Sequence, residues 1–218
     1  MDALGQPLQI DLPVIQAATV QDVEGGHPHG YQVPVQARNE DLRSALRRAA
    51  AAMKADGPDF ALAGSYALWV YGAPEPVHDV HFVVAESEVE LAAKSLADAG
   101  FTIERPPEDW LFKACVGGEF VIDVLHRLNG GVPVDATTLE CAVPHDVLAI
   151  SMRVLPPTYV ITEKLCSLNE HHCDFASLLP SARAVREQVD WDSVRADTAH
   201  NDFAVAFLVL TDRLGITA

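Results

Sequence analysis

The sequence predicts a mixed α/β (α+β) protein, with a β-sheet core flanked by helices and a helical C-terminal part. Three observations predict it. Short β-branched segments such as VHDVHFVVA and EFVIDVLHRL alternate with Ala- and Leu-rich segments carrying helix start and stop signals. An apolar fraction of 49% over 218 residues is enough to build a globular core. From Thr158 to Ala218 only helical patterns remain. The chain therefore divides into an N-terminal leader over 1–38, an α/β core over 39–157, and a helical region over 158–218 packed on that core.

The leader is rich in Pro and Gly, as in EGGHPHGYQVPV, and holds one candidate strand, LPVIQAATV. NEDLRSALRRAAAAMKADG opens on an Asn/Asp cap signal and closes on Gly57-Pro58, which marks a helix. FALAG is a short strand, SYALWVYGA has helical composition ending at Gly72, and APEP breaks the chain before VHDVHFVVA. SEVELAAKSLADAG reads as a helix capped by Ser87 and stopped at Gly100. FTIERP, LFKACVG and EFVIDVLHRL are three strands, with Gly117-Gly118 as a tight hairpin between the last two. HDVLAISMRVLPP predicts one final strand, halted by Pro156-Pro157. The C-terminal helices are TYVITEKLCSLNEHH, CDFASLLPSARAVREQ and NDFAVAFLVLTDRLG.

Composition narrows the function. With 31 acidic against 15 basic residues the formal net charge is −16, which argues against broad nucleic-acid binding through phosphate neutralisation. It fits a cationic small molecule or a protein partner, and equally plain solubility. No apolar run approaches the roughly 18 residues of a membrane span, so no membrane partner is expected. The start, MDALGQPLQIDLP, lacks a basic region and a continuous apolar run. Four scattered cysteines make no disulfide framework, and a cytoplasmic protein with reduced thiols is expected. The CSLNEHHCD cluster has no second Cys pair and does not read as a structural zinc site.

The chemistry lies in two strands. In VHDVHFVVA, Val80, Phe82 and Val84 face one way, while Asp79 and His81 face the other. In EFVIDVLHRL, Asp123 interrupts the face opposite Ile122 and Val124. A mid-strand carboxylate is costly to bury without a cation or donors. Two such strands side by side would bring Asp79, His81 and Asp123 together, where they would attract a divalent ion and, behind it, a triphosphate.

A strand ending in Gly-Ser, a helix, and a strand carrying Asp-apolar-acid together resemble the DNA-polymerase-β-type nucleotidyltransferase superfamily. Here the motif is Ala63-Gly64-Ser65, then Tyr66 to His78, then Asp79-Val80-His81-Phe82, with Asp123 in VIDVL suited to the later carboxylate. VLAISMRVLPPTYVITEKLCSLNEHHCDFASLL is similar to the strand, loop and Lys-bearing helix of small bacterial nucleotidyltransferases, among them abortive-infection toxins and antibiotic-modifying enzymes. The resemblance implies a nucleotidyltransferase core that transfers a nucleoside monophosphate from an NTP to a hydroxyl of a small molecule, RNA or protein. It also implies Mg²⁺ or Mn²⁺ held by Asp79, His81 and Asp123, with Asp79 and Asp123 as catalytic carboxylates. Gly64, Ser65 and Lys164 would lie on the phosphates, while Asp174 is read as a helix cap. His81 departs from the pattern, which has an acid there. Imidazole suits Mg²⁺ poorly, so a catalytically degenerate module that binds a nucleotide or a protein is the alternative expectation.

Overall fold

The computed structural model describes residues 35–107, 109–116, 118–128 and 131–217. The predicted leader strand lies outside them. Helix α1 spans Val35–Asp56. It buries Leu42, Ala45, Leu46, Ala49, Ala50 and Met53, an i, i+3, i+4 stripe made narrow by alanines so that the helix sits close on the sheet. Strand β1 (Phe60–Ala63) leads into the short helix α2 (Gly64–Val70), and β2 runs from Val80 to Val84. A 3₁₀ turn at Glu86–Glu88 then enters α3 (Val89–Asp98). Ser87 makes no cap here: it lies inside that turn, and the helix begins without a side-chain cap bond.

Strands β3 (Thr102–Glu104), β4 (Leu111–Val116) and β5 (Glu119–Leu125) follow. After them come a small hairpin, β6 (Arg127–Leu128) with β7 (Val132–Pro133), and the helix α4 (Ala136–Glu140), capped by the Asp135 carboxylate on Thr138 N–H. The segment expected as one final strand is instead a hairpin, β8 (Val143–Val147) and β9 (Ile150–Val154). Its turn is Leu148-Ala149, both at positive φ (50° and 67°), the φ pattern of a type I′ turn built without glycine or asparagine. The missing turn residues are why the sequence reads as continuous.

Helix α5 covers Pro157–Cys166, with proline at its first turn. It stops six residues before the predicted end, His172, because the Asn169 side chain accepts the N–H groups of His171 and His172 and turns the chain. Helix α6 (Phe175–Val185) is capped by Asp174. Helix α7 (Trp191–Thr198) is capped by Asp190, and α8 (Asp202–Arg213) by Asn201, whose amide nitrogen also donates to the carbonyls at the end of α5.

Among the described residues, seven strands form one mixed sheet in the order β3-β4-β5-β2-β1-β9-β8. The pairs β2–β5 and β1–β9 are parallel and the rest antiparallel. Leu62, Phe82, Val84, Ile122, Val124 and Phe112 alternate on to one face and are buried. Ser95 on α3 donates to the Ala52 carbonyl of α1, tying together two helices that pack on the sheet. The opposite face carries Ala63, His81, Val83, Asp123 and Leu125, and α5 lies over it.

Ala149 holds a left-handed conformation that costs an alanine roughly 1 kcal/mol. Ala149→Gly is expected to raise stability by up to about 1 kcal/mol, less the entropy a new glycine gives the unfolded chain. Urea unfolding followed by circular dichroism measures it.

Candidate active site

The parallel register of β2 and β5 sets His81 directly opposite Asp123. The antiparallel register of β1 sets Ala63 opposite His81 on its other side. Asp79, one residue before β2, reaches the same face. The sheet therefore brings together the three side chains that the sequence placed on two strands. One ligand atom from each of Asp79, His81 and Asp123 lies within 4.8 Å of the others. His81 Nε2 is 3.1 Å from Asp79 Oδ2 and 4.0 Å from Asp123 Oδ2. That nitrogen is buried, and its approach to Asp79 falls outside the angles of a hydrogen bond, so it forms a close polar contact without a directed partner.

Asp79 responds to this neighbour. The bent polar contact from the His81 ring is the chief cause that lowers its pKa to about 2, with the ring's charge when protonated a further one, against the opposing effect of burial. Asp79 is thus ionised across the physiological range, as a group suited to holding a cation rather than accepting a proton.

Asp123 has a different partner. Its side chain is only 8% exposed, and Lys113 Nζ on β4 donates to both of its oxygens at 2.9 Å. Sequence reasoning passed over Lys113. At the closed end of the hairpin Val116 pairs with Glu119 and Cys115 with Phe120; continued regularly, that register would set Lys113 opposite Ile122. A bulge changes it: Val121 is the extra residue, Ala114 pairs with Ile122, and Lys113 with Asp123. The one available signal was a lone lysine in an otherwise apolar strand, LFKACV.

Gly64 has φ +61°. A Cβ on it would lie 2.7 Å from His81 Nδ1 and 3.0 Å from Cγ. The space that glycine leaves open is filled by the His81 ring, so this histidine itself requires the glycine. Ser65 is half-buried at the second position of α2 and does not line the adjoining cavity. Lys164 does line it, together with Gly64 and His81. Burial lowers the Lys164 pKa, and the Asp79 charge works against that shift.

The cavity has a volume of about 480 Å³. Val83, Leu125, Leu155 and Val160 make its apolar walls, Trp110 and Tyr159 its aromatic ones, and Glu163 and Arg127 add charge. Arg127 is held by Glu86. None of these wall residues was singled out in the sequence.

The fold places this chain beside solved proteins. The crystal structure of ANT(2'')-Ia in complex with adenylyl-2''-tobramycin superposes with a TM-score of 0.56 at 12% identity. The match covers 77% of this chain and 97% of that one. The solution structure of the antibiotic-resistance factor ANT(2'')-Ia gives 0.54, with 81% and 98% covered, again at 12% identity. This is the nucleotidyltransferase fold. No protein-family model and no curated protein sequence matches the chain, so the likeness rests on three-dimensional form. Among the described residues no helix is long and apolar enough to cross a membrane.

Replacing His81 by alanine is expected to return the Asp79 pKa from about 2 toward the ordinary value near 3.8. Because the folded-state value is depressed, its contribution to stability is full above the ordinary carboxylate pKa and fades as pH falls toward about 2. Carbon-detected NMR of the Asp79 carboxyl against pH measures the shift, and an unchanged midpoint in the variant contradicts the assignment to His81.

Proposed function

We propose that the protein is a nucleotidyltransferase that binds a nucleoside triphosphate with one or more divalent ions and transfers the nucleoside monophosphate to a hydroxyl of a small molecule. The observation that carries this reading is the Asp79, His81 and Asp123 cluster, whose His81 lines a cavity in a nucleotidyltransferase fold. The donor set fits a divalent ion: two carboxylates, and a buried ring nitrogen with no directed hydrogen bond. Asp79, Asp123 and His81 would hold the ion. When bound, it would acidify the acceptor hydroxyl and offset the charge of the departing pyrophosphate.

The chain's own groups do the rest. Asp79 stays ionised and anchors the centre. Lys164, brought to the same cavity by α5, supplies a point charge for the triphosphate, and the Gly64-Ser65 turn offers backbone N–H groups to phosphate oxygens. His81 in place of an acid favours Mn²⁺ over Mg²⁺, since imidazole is a poor ligand for magnesium. The cavity volume suits a small acceptor better than an RNA end. Among its described lining residues Glu163 is the carboxylate, against Lys164 and Arg127. The acidic net charge is therefore not gathered where a polycation would sit.

His81 also favours a second reading, a nucleotide-binding or protein-interaction module that has lost transfer. It removes one negative charge from the centre, and its ring lies against Asp79. Incubation with labelled triphosphates, Mn²⁺ or Mg²⁺ and hydroxyl acceptors separates the two. Transfer by the wild type, at least 100-fold slower in Asp79→Ala and with Mn²⁺ better than Mg²⁺, is the expected result. An inert wild type together with a transferring His81→Asp variant establishes the second reading.

Lys164 carries a cost that a structural lysine would not need. Lys164→Met is expected to melt at or above the wild-type temperature while losing triphosphate affinity about tenfold or more. Calorimetric melting and titration with an unreactive triphosphate analogue read the two effects separately.

A further inference from the structure

Two-metal sites clamp the attacking and leaving oxygens between a pair of divalent ions, and this centre holds a group that such a pair leaves unaccounted for. Lys113 contacts both oxygens of Asp123 at 2.9 Å, and that carboxylate is 8% exposed. The contact is built into the backbone, since the bulge at Val121 turns Lys113 to the site face. An ammonium fixed this way is a permanent member of the centre. It offsets one of the two carboxylate charges, and His81 contributes no negative charge in place of the expected acid.

We propose that Lys113 is a built-in counter-cation standing where a second divalent ion would bind, so that the centre takes a single divalent ion between Asp79 and His81. The inference rests on the reading of this cluster as a metal centre and specifies its stoichiometry. Two carboxylates, one already neutralised, lack the charge to hold two divalent ions a few ångströms apart, and a second ion on Asp123 would face the ammonium directly. The remaining lone pairs of Asp123 stay available to the one ion that does bind.

The test counts Mn²⁺. Free Mn²⁺ is followed by electron paramagnetic resonance as wild type, Lys113→Met and Lys113→Arg are titrated, with no nucleotide present. One ion per wild-type chain is expected, with one also in Lys113→Arg. In Lys113→Met a second ion appears or affinity rises by about tenfold or more, as removing a unit charge a few ångströms away requires. Lys113→Met leaves a buried carboxylate uncompensated, so it is also melted with and without Mn²⁺, and stabilisation by the ion well beyond that of wild type supports the proposal. Two ions in wild type, or equal stoichiometry, affinity and Mn²⁺ stabilisation in wild type and Lys113→Met, overturn it. No ion in wild type but one in Lys113→Met overturns the single-ion centre, since Lys113 then keeps the metal out altogether, and removes the metal from the proposed transfer reaction. No ion in either defeats both readings.

Discussion

A carboxylate in the middle of a β-sheet, nearly shut off from water, is the constraint around which this protein is arranged. Asp123 on β5 needs compensating charge, and the neighbouring strand β4 supplies it. On one side the antiparallel partner brings Lys113 on to both oxygens. On the other, the parallel partner brings His81 opposite, with Asp79 beyond it. The row then continues to Ala63 and the glycine that makes room for the histidine ring. Four adjacent strands thus carry Lys113, Asp123, His81 and Ala63 in one row across a single face. The reverse face of the same strands is wholly apolar and is sealed by α1 and α3. The sheet separates a core that supplies stability from a surface that gives some of it up for chemistry.

The chain shares the nucleotidyltransferase fold with the ANT(2'')-Ia structures, and the electrostatics of its centre turn on a few residues. His81 and Lys113 both move the centre toward positive charge. Gly64 is matched to the histidine: a bulkier residue there would meet the ring, so the two positions form one packing unit. Lys164 is coupled to the centre as well, since the Asp79 charge counters the effect of burial on its ammonium. A change at any one of these residues alters the electrostatics felt by the others.

Much of this was legible in the sequence. Period-two alternation in VHDVHFVVA and EFVIDVLHRL put the polar residues on one face, and the Gly-Ser turn and Lys-bearing helix fell in the expected order. That these two strands lie side by side was expected from the same reading, while their parallel pairing is seen only in the folded sheet. What stayed hidden depends on backbone conformation without a residue signature. The β8–β9 hairpin turns on Leu148-Ala149, neither of which is a turn residue. Helix α4 is a single turn started by Asp135, and α5 ends early on an Asn side chain that no periodicity reports. The cavity walls come from five or more segments, which only the folded chain assembles.

The bulge at Val121 concerns more than the local pairing. Side chains along a strand alternate, so the same hairpin paired without the bulge, with Val121 in register, would set Lys113 opposite Ile122 and turn β4 over. Phe112, now in the core, would then lie opposite Asp123, and Lys113 would be driven on to the apolar face. The pairing of this hairpin therefore specifies the centre as firmly as any side chain in it. Two chains could agree at every polar position and still differ in chemistry through the register of one strand.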